Sequence, residues 1–280
     1  MKKEECYISA APKDTDVRQH ISYYYFHKSD VRGFTSRFTY YPHYKNAITV
    51  YKNARSNFTE KGSQVTPTNY DCFEILYSRM QKNPAQVIIE APFQKLGIAF
   101  EPLGINHFLD IDLHEISTKP VIKFEFFGET FNKVLERVFS EKNLDQKVAL
   151  LDAFFVSNKM GFSEERIKKA IHILLIDDSI SVQQLSKNLD ISRKTLYRLF
   201  KKHLCCSVEE YKSLLRFRKA LNLYEAYLNK PKLVELAYES KYYDQSEFVK
   251  HFRTITGYNP KKFLSDISRF GKQDTFWTLN

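Results

Sequence analysis

The chain has 280 residues, of which 43% are hydrophobic and 15% aromatic. That excludes wholesale disorder and suffices for two modest packed domains. The net charge of +10 is unevenly placed: residues 1–164 carry 21 Lys+Arg against 20 Asp+Glu, whereas residues 165–270 carry 21 against 12. A polyanion partner is therefore expected for the C-terminal third alone.

No apolar run approaches the ~18 residues that cross a bilayer. MKKEECYISAAPKDTD at the N-terminus lacks the apolar segment of a secretory signal. Cys6, Cys72, Cys205 and Cys206 make neither a CxxC pair nor a disulfide framework. The expectation is a cytoplasmic protein with no membrane partner.

The first 125 or so residues read as β-rich. FTSRFTYY (34–41), AITVYK (47–52), FEILYSRM (73–80), QVIIEA (86–91), KLGIAFE (95–101) and VIKFEFF (121–127) are rich in β-branched and aromatic residues. They are broken at Pro42, Gly62–Ser63, Pro67, Asn83–Pro84 and Pro120, a spacing that predicts a sandwich or barrel. Near Gly128 the period changes, and amphipathic helices are predicted over 129–142 and 144–157. They suit covering the sheets or pairing with a second copy. VSNKMGF (156–162) reads as a linker.

From Ser163 onward everything reads helical. Ser163 is the expected cap of a first helix with the apolar face Ile167, Ala170, Ile171, Leu174 and Leu175. Ser181 with Gln184, and Ser207 with Glu210, spell capping boxes. Ser192 caps the helix between them. The helix after Ser207 runs to about Tyr227, stopped by Asn229 and Pro231.

This part of the chain repeats itself. Residues 183–214 align with 234–266, so that Leu185 falls on Leu236, Ile191 on Tyr242, Leu196 on Phe248, Phe200 on Phe252, Lys201 on Arg253 and Tyr211 on Phe263. Asp244 with Glu247, and Asn259 with Pro260, repeat the helix-start signals. Each copy is a short helix, a tight turn and a second helix with a basic face, the pattern of a helix-turn-helix unit. A connecting helix from Val208 to Tyr227 is ~30 Å long, close to the ~34–36 Å turn of B-DNA.

LSKNLDISRKTLYRLFKKH, RFRKALNLY and LAYESKYYDQSEFVKHFRTITGYNPKKF carry a resemblance to the DNA-binding domain of AraC/XylS-type transcriptional regulators, over residues 165–270. Phe252, Arg253, Gly257, Tyr258, Pro260 and Phe263 stand where that family has its F-x-K-x-x-G-Y-x-P-x-x-F run. Two departures are visible: Lys241 replaces the usual turn glycine of the second unit, and Cys205 stands at the position of Gly257 in the first. FQKLGIAFEPLGINHFLDIDLHEI, more weakly, resembles the cupin-like sensor domains of some of these regulators.

The resemblance implies an α+β fold of two domains. A β-rich, cupin-like sensor or dimerisation domain spans 1–157, with a linker at 158–164. A double helix-turn-helix domain spans 165–270, and 271–280 form a tail. It implies a bipartite double-stranded promoter site read in two major grooves, with activation through RNA polymerase and repression as the alternative. A small-molecule effector or a homodimer is expected of the N-terminal part, and a nucleoid-associated location of the whole.

By family position, the DNA-facing residues are Arg193, Lys194, Tyr197, Arg198 and Lys201 in the first unit. Those in the second are Gln245, Ser246, Glu247, Lys250 and Arg253. Arg and Lys suit guanine, Gln suits adenine and Glu suits the cytosine amine, although Glu247 is equally suited to capping its helix. Lys202, Lys261 and Lys262 are expected at phosphates or on the solvated surface. Leu185, Phe200, Leu236, Ala237 and Phe252 are expected in cores.

No catalytic residue, metal site or cofactor is expected. There is no G-x-S-x-G, Walker loop or H-E-x-x-H. His20, His27, His43, His107 and His114 form no H-x-H with a downstream Glu, so a cupin enzyme fused to a DNA-binding domain stands only as a rival. An alkyl-transfer repair module needs four clustered cysteines, which Cys6 and Cys72 do not supply. For Cys205 and Cys206 packing is expected, with redox sensing as the alternative, because Lys201 and Lys202 favour a thiolate.

Overall fold

The computed structural model describes residues 5–59, 62–80, 83–116, 119–227, 230–269 and 276–279. The fold joins a sheet-rich N-terminal domain to a helical C-terminal one. In chain order the first half holds β1 (Cys6–Ala10), α1 (Thr15–Arg18), β2 (Ile21–Ser29), β3 (Thr35–Tyr40), β4 (Ala47–Lys52), β5 (Ala54–Thr59) and β6 (Gly62–Pro67). There follow β7 (Phe73–Ser78), β8 (Ala85–Glu90), β9 (Phe93–Phe100), a 3-10 turn at Gly104–Phe108, α2 (Leu113–Ile116), β10 (Val121–Lys123), α3 (Gly128–Ser140) and α4 (Leu144–Ser157). The second half holds α5 (Glu165–Ile176), α6 (Val182–Asn188), α7 (Arg193–Leu204), α8 (Val208–Ala226), α9 (Leu233–Glu239), α10 (Gln245–Thr256), α11 (Pro260–Asp266), β11 (Ser268–Arg269) and β12 (Phe276–Leu279).

Two six-stranded sheets are formed, in the orders β1-β2-β9-β4-β7-β10 and β11-β12-β3-β8-β6-β5. The first is antiparallel throughout, and the second contains the parallel pair β6–β8. The first sheet is buried on both faces. Tyr24, Phe26, Ile48, Val50, Leu96 and Ile98 pack against α3 and α4, through Phe131, Leu135, Val148, Leu151 and Phe155. On its other face Tyr7, Tyr23, Tyr25 and Tyr51 meet Phe38, Val65, Val87 and Trp277 of the second sheet.

That double burial explains the strand that the sequence pattern does not mark. ISYYYFHKS of β2 sends Tyr23 and Tyr25 one way and Tyr24 and Phe26 the other, so no polar residue alternates with them. Strands β5 and β6 carry no β-rich run because they are mostly polar, with β5 largely exposed and β6 half-buried around Val65. The expected strand 121–127 is real only over Val121–Lys123. Beyond it Phe124 turns into the core under α3, which Gly128 opens at φ +62.

In the second half each unit has its own core. Ile167, Leu174, Leu185, Leu196 and Phe200 pack with Val208, Tyr211 and Leu215 from the start of α8. Leu236, Ala237, Phe248, Phe252 and Phe263 pack with Phe217, Ala220 and Leu221 from its later turns. Helix α8, 19 residues and about 28 Å long, is thus shared by both units. Ser207 and Glu210 close its capping box in both directions. Tyr227, in extended backbone, caps its end; the expected stop residue Asn229 lies outside the described residues. At α5 the cap is Glu164 and not Ser163. Its carboxylate accepts from the Arg166 backbone N–H at 3.3 Å and pairs with the Arg166 guanidinium at 2.8 Å.

The halves are bolted together. Buried Arg218 of α8 donates to the carbonyls of Tyr41 and Pro42, at 2.6 and 2.8 Å. Asn106 donates to the His203 carbonyl at 3.3 Å, and Lys202 pairs with Asp112 at 3.0 Å. The expected linker is tied to the first half, with Met160 N–H and Gly161 N–H on the His107 carbonyl at 2.8 and 3.2 Å. Chain end and chain start also meet, because β12 pairs with β3 and places Trp277 opposite Tyr40.

Candidate nucleic-acid interface

The two units are built by the same local chemistry. In the first, Ile191 N–H bonds back to the Ser186 carbonyl and Asp190 N–H to that of Lys187, with Asp190 at φ +51. In the second, Tyr242 N–H bonds to the Ala237 carbonyl and Lys241 N–H to that of Tyr238, with Lys241 at φ +61. Both are Schellman-type helix ends in which one residue turns left-handed, the conformation a glycine adopts without strain. Ser192 then accepts from Thr195 N–H at 3.1 Å to start α7, and Asp244 accepts from Glu247 N–H at 2.7 Å to start α10.

On α10, Gln245, Ser246, Lys250 and Arg253 line one open groove together with Val249 and Thr254. On α7 the matching positions, Arg193, Lys194, Tyr197, Arg198 and Lys201, share a face by the same spacing. Arg193, Lys194, Arg198, Lys250 and Arg253 are exposed, and none is engaged in an ion pair among the described residues. Lys201 is half-buried, 3.8 Å from Glu210 and over the ring of exposed Tyr197 at 5.6 Å.

Glu247 lies off this face. One of its carboxylate oxygens accepts from Tyr243 N–H at 2.8 Å, and the other meets Arg216 of α8 at 3.2 Å. Val249 and Thr254 escaped the sequence reading, though Val249 is legible by its offset from Tyr197. Lys202 faces Asp112 of the N-terminal half.

The remaining polar groups set the position of the units. His251 bridges Ser213 of α8 and Tyr242, each at 2.6 Å, and its burial pushes the imidazole down to about 4. Lys241 reaches Asp177 at the end of α5 across 3.4 Å, linking the two units. Cys205 is left-handed at φ +57, as Gly257 is at +77, and burial raises its thiol pKa against the lowering pull of Arg79 and Lys201. Cys206 is buried in the first unit's core. Elsewhere, Asp112, His114 and Glu115 bring potential metal-ligand atoms within 4.8 Å of one another on the surface.

A second concave feature lies in the N-terminal half, between the two sheets and against α8. It is a cavity of about 140 Å³ that includes Lys95, Trp277 and Arg218 among its walls. Neither Lys95 nor Trp277 carried any motif that would have marked it.

Two helix-turn-helix units on one shared helix, each with a solvent-facing cationic helix, define a DNA-binding domain. Residues 185–266 match the family model described as "Helix-turn-helix domain". The Msm operon regulatory protein of Streptococcus mutans is 32% identical over 104 residues, a match that spans 36% of this chain and 36% of that protein's length. Among solved structures, ToxT from Vibrio cholerae aligns over 94% of this chain and 98% of its own, at 11% identity and a TM-score of 0.45. The AraC-like transcriptional activator CuxR aligns over 78% and 86%, at 12% identity and a TM-score of 0.30. Among the described residues no helix is long and apolar enough to cross a membrane.

Proposed function

We propose that the protein is a transcription regulator that reads a bipartite promoter site through α7 and α10. The observation that carries this reading is the single helix α8, which contributes to both cores and so joins the two units that present α7 and α10. Arg193, Lys194, Tyr197, Arg198 and Lys201 face one half-site. Gln245, Ser246, Lys250 and Arg253 face the other, while Glu247 holds the start of its helix. One chain then spans two successive major grooves, as a dimer of single-unit proteins does.

The N-terminal half is the regulatory part, and the aromatic cavity between its sheets favours effector sensing over a purely dimerising role. The packing of two mainly antiparallel sheets around one aromatic core supports a cupin-like architecture. Activation through RNA polymerase is the regulatory outcome carried by the family resemblance.

Selection of sites from random DNA by the full-length protein tests the reading. Enrichment of two half-sites about one helical turn apart is the expected result, and no enriched motif overturns it. Affinity for the selected site should fall steeply with salt, by roughly tenfold or more between 50 and 200 mM, because each phosphate contact releases counterions. Salt-insensitive binding would contradict the cationic-face account.

A further inference from the structure

Leu113 and Ile116 of α2 pack into the core of the N-terminal half. The outer side of this short segment carries Asp112, His114 and Glu115, whose donor atoms lie within 4.8 Å of one another. His114 and Glu115 are exposed and Asp112 is half-buried. Exposed acids beside a histidine do not by themselves make a site.

The second observation comes from the other half of the molecule. His203, in the last turn of α7, is 5% exposed, and its ring packs edge-on against Phe162 at 5.0 Å. Its backbone carbonyl accepts from the Asn106 side chain, which fixes this end of α7. Its Nδ1 has no hydrogen-bond partner among the described residues and faces Asp112 Oδ1 at 3.6 Å. A buried ring nitrogen left in that state is costly.

The separation is too long for a hydrogen bond, which closes at about 2.7–3.2 Å. It is close to the spacing of two donors that share one ion. With zinc bonds of about 2.0–2.1 Å in a tetrahedron, neighbouring donors stand ~3.3 Å apart. The other carboxylate oxygen, Asp112 Oδ2, pairs with Lys202 at 3.0 Å, so Oδ1 remains to meet a cation. Two imidazoles and two carboxylates make a mixed nitrogen–oxygen set, which suits zinc better than magnesium or calcium. His114 and Glu115, being exposed, close the wider spacing by rotamer changes.

We propose that Asp112, His114, Glu115 and His203 bind one divalent transition-metal ion of the zinc class, which ties α2 of the N-terminal half to the last turn of α7. Asp112 and His203 are the pre-positioned side of the set, and His114 and Glu115 close it from solvent. Four protein ligands leave no open position, so the role of the ion is structural.

Full-length protein, stripped with a chelator and dialysed, is titrated with Zn²⁺ by calorimetry, with Mg²⁺ and Ca²⁺ alongside. The expected result is one Zn²⁺ per chain, with Mg²⁺ and Ca²⁺ at least tenfold weaker. Co²⁺ in its place should give visible ligand-field bands without thiolate charge-transfer absorption, which separates this site from the exposed Cys6. His114→Gln should weaken Zn²⁺ at least tenfold and leave the urea midpoint of the metal-free protein unchanged. His203→Gln should weaken it as much, and should abolish the rise in thermal midpoint that Zn²⁺ gives the unaltered protein. Lys202→Gln removes an opposing charge and should tighten binding at least threefold. Should His203→Gln lower the metal-free midpoint, the Lys202→Gln result decides whether α7 borders the ion.

No stoichiometric Zn²⁺ binding, a thiolate spectrum, or unchanged affinity in His114→Gln overturns the site. Undiminished affinity in a folded His203→Gln overturns the tie between the halves, because the ion then rests on α2 alone. None of these readouts involves DNA, so they judge the site whether or not the regulator reading holds.

Discussion

Arg198 and Lys250 occupy matching positions on α7 and α10, exposed and without ion pairs among the described residues. Arg198→Ala should relax base preference in one half-site and Lys250→Ala in the other, each by about 1–3 kcal/mol where the contact is to a base edge. Site selection with each variant checks this, and equal loss across both halves contradicts two independent readers. Lys241 poses a different question. Its left-handed backbone strains a side chain by about 1–2 kcal/mol, and its pair with Asp177 is half exposed and worth ~0–1 kcal/mol. Lys241→Gly should therefore leave stability unchanged or raise it by up to about 1 kcal/mol, read from urea midpoints. A clear fall contradicts the strain argument. The turn position here came with the family resemblance, whereas the Asp177 contact carried no sequence signal, because those residues are far apart in sequence.

Helix α8 carries the largest mechanical role among the elements. Its early turns complete one core and its later turns the other, so neither unit closes without it. Its limits were legible because both signals are local: a Ser-x-x-Glu box at one end and Pro231 beyond the other. Arg218, on the same helix, lies in the stretch RFRKALNLY, where nothing local marks it as buried. It is instead buried against the Tyr41 and Pro42 carbonyls. Arg218→Met should cost about 1–3 kcal/mol or more, because it leaves buried acceptors unpaired. Differential denaturation of the wild type and the variant measures it, and a loss under 0.5 kcal/mol, roughly the size of an ordinary surface substitution, contradicts the anchoring role.

Across the whole molecule, buried histidines make stability pH-dependent. His107, stacked on His20 at 3.9 Å, is pushed down to about 4, first by burial and then by the neighbouring His20 and Lys168 charges. His251 is pushed to about 4 by burial and by Arg216, and burial also lowers His20 and His203. The folded protein holds these rings neutral while the unfolded chain protonates near its ordinary value of ~6.5. The unfolded state thus binds more protons between about pH 6.5 and 4, so stability is full above that window and falls as pH drops through it. The slope is at most about 1.4 kcal/mol per pH unit for each ring. Urea midpoints at pH 7, 6 and 5 should fall in order, and His107→Gln should flatten the trend. A pH-independent midpoint contradicts it.

The sequence by itself determined the repeated helix-turn-helix pattern, the helix starts at Ser181, Ser192, Ser207, Asp244 and Asn259, and the basic faces. All of these are set by short-range periodicity and backbone hydrogen bonding. Only the tertiary structure decided the rest. It buried β2 on both faces, turned Glu247 towards α8, folded the C-terminal strand β12 back onto β3, and gathered Lys95, Tyr25, Phe38, Tyr51 and Trp277 around one cavity. Those residues come from separate strands and from the far end of the chain. Their proximity is a product of sheet pairing, which leaves no mark in local sequence spacing.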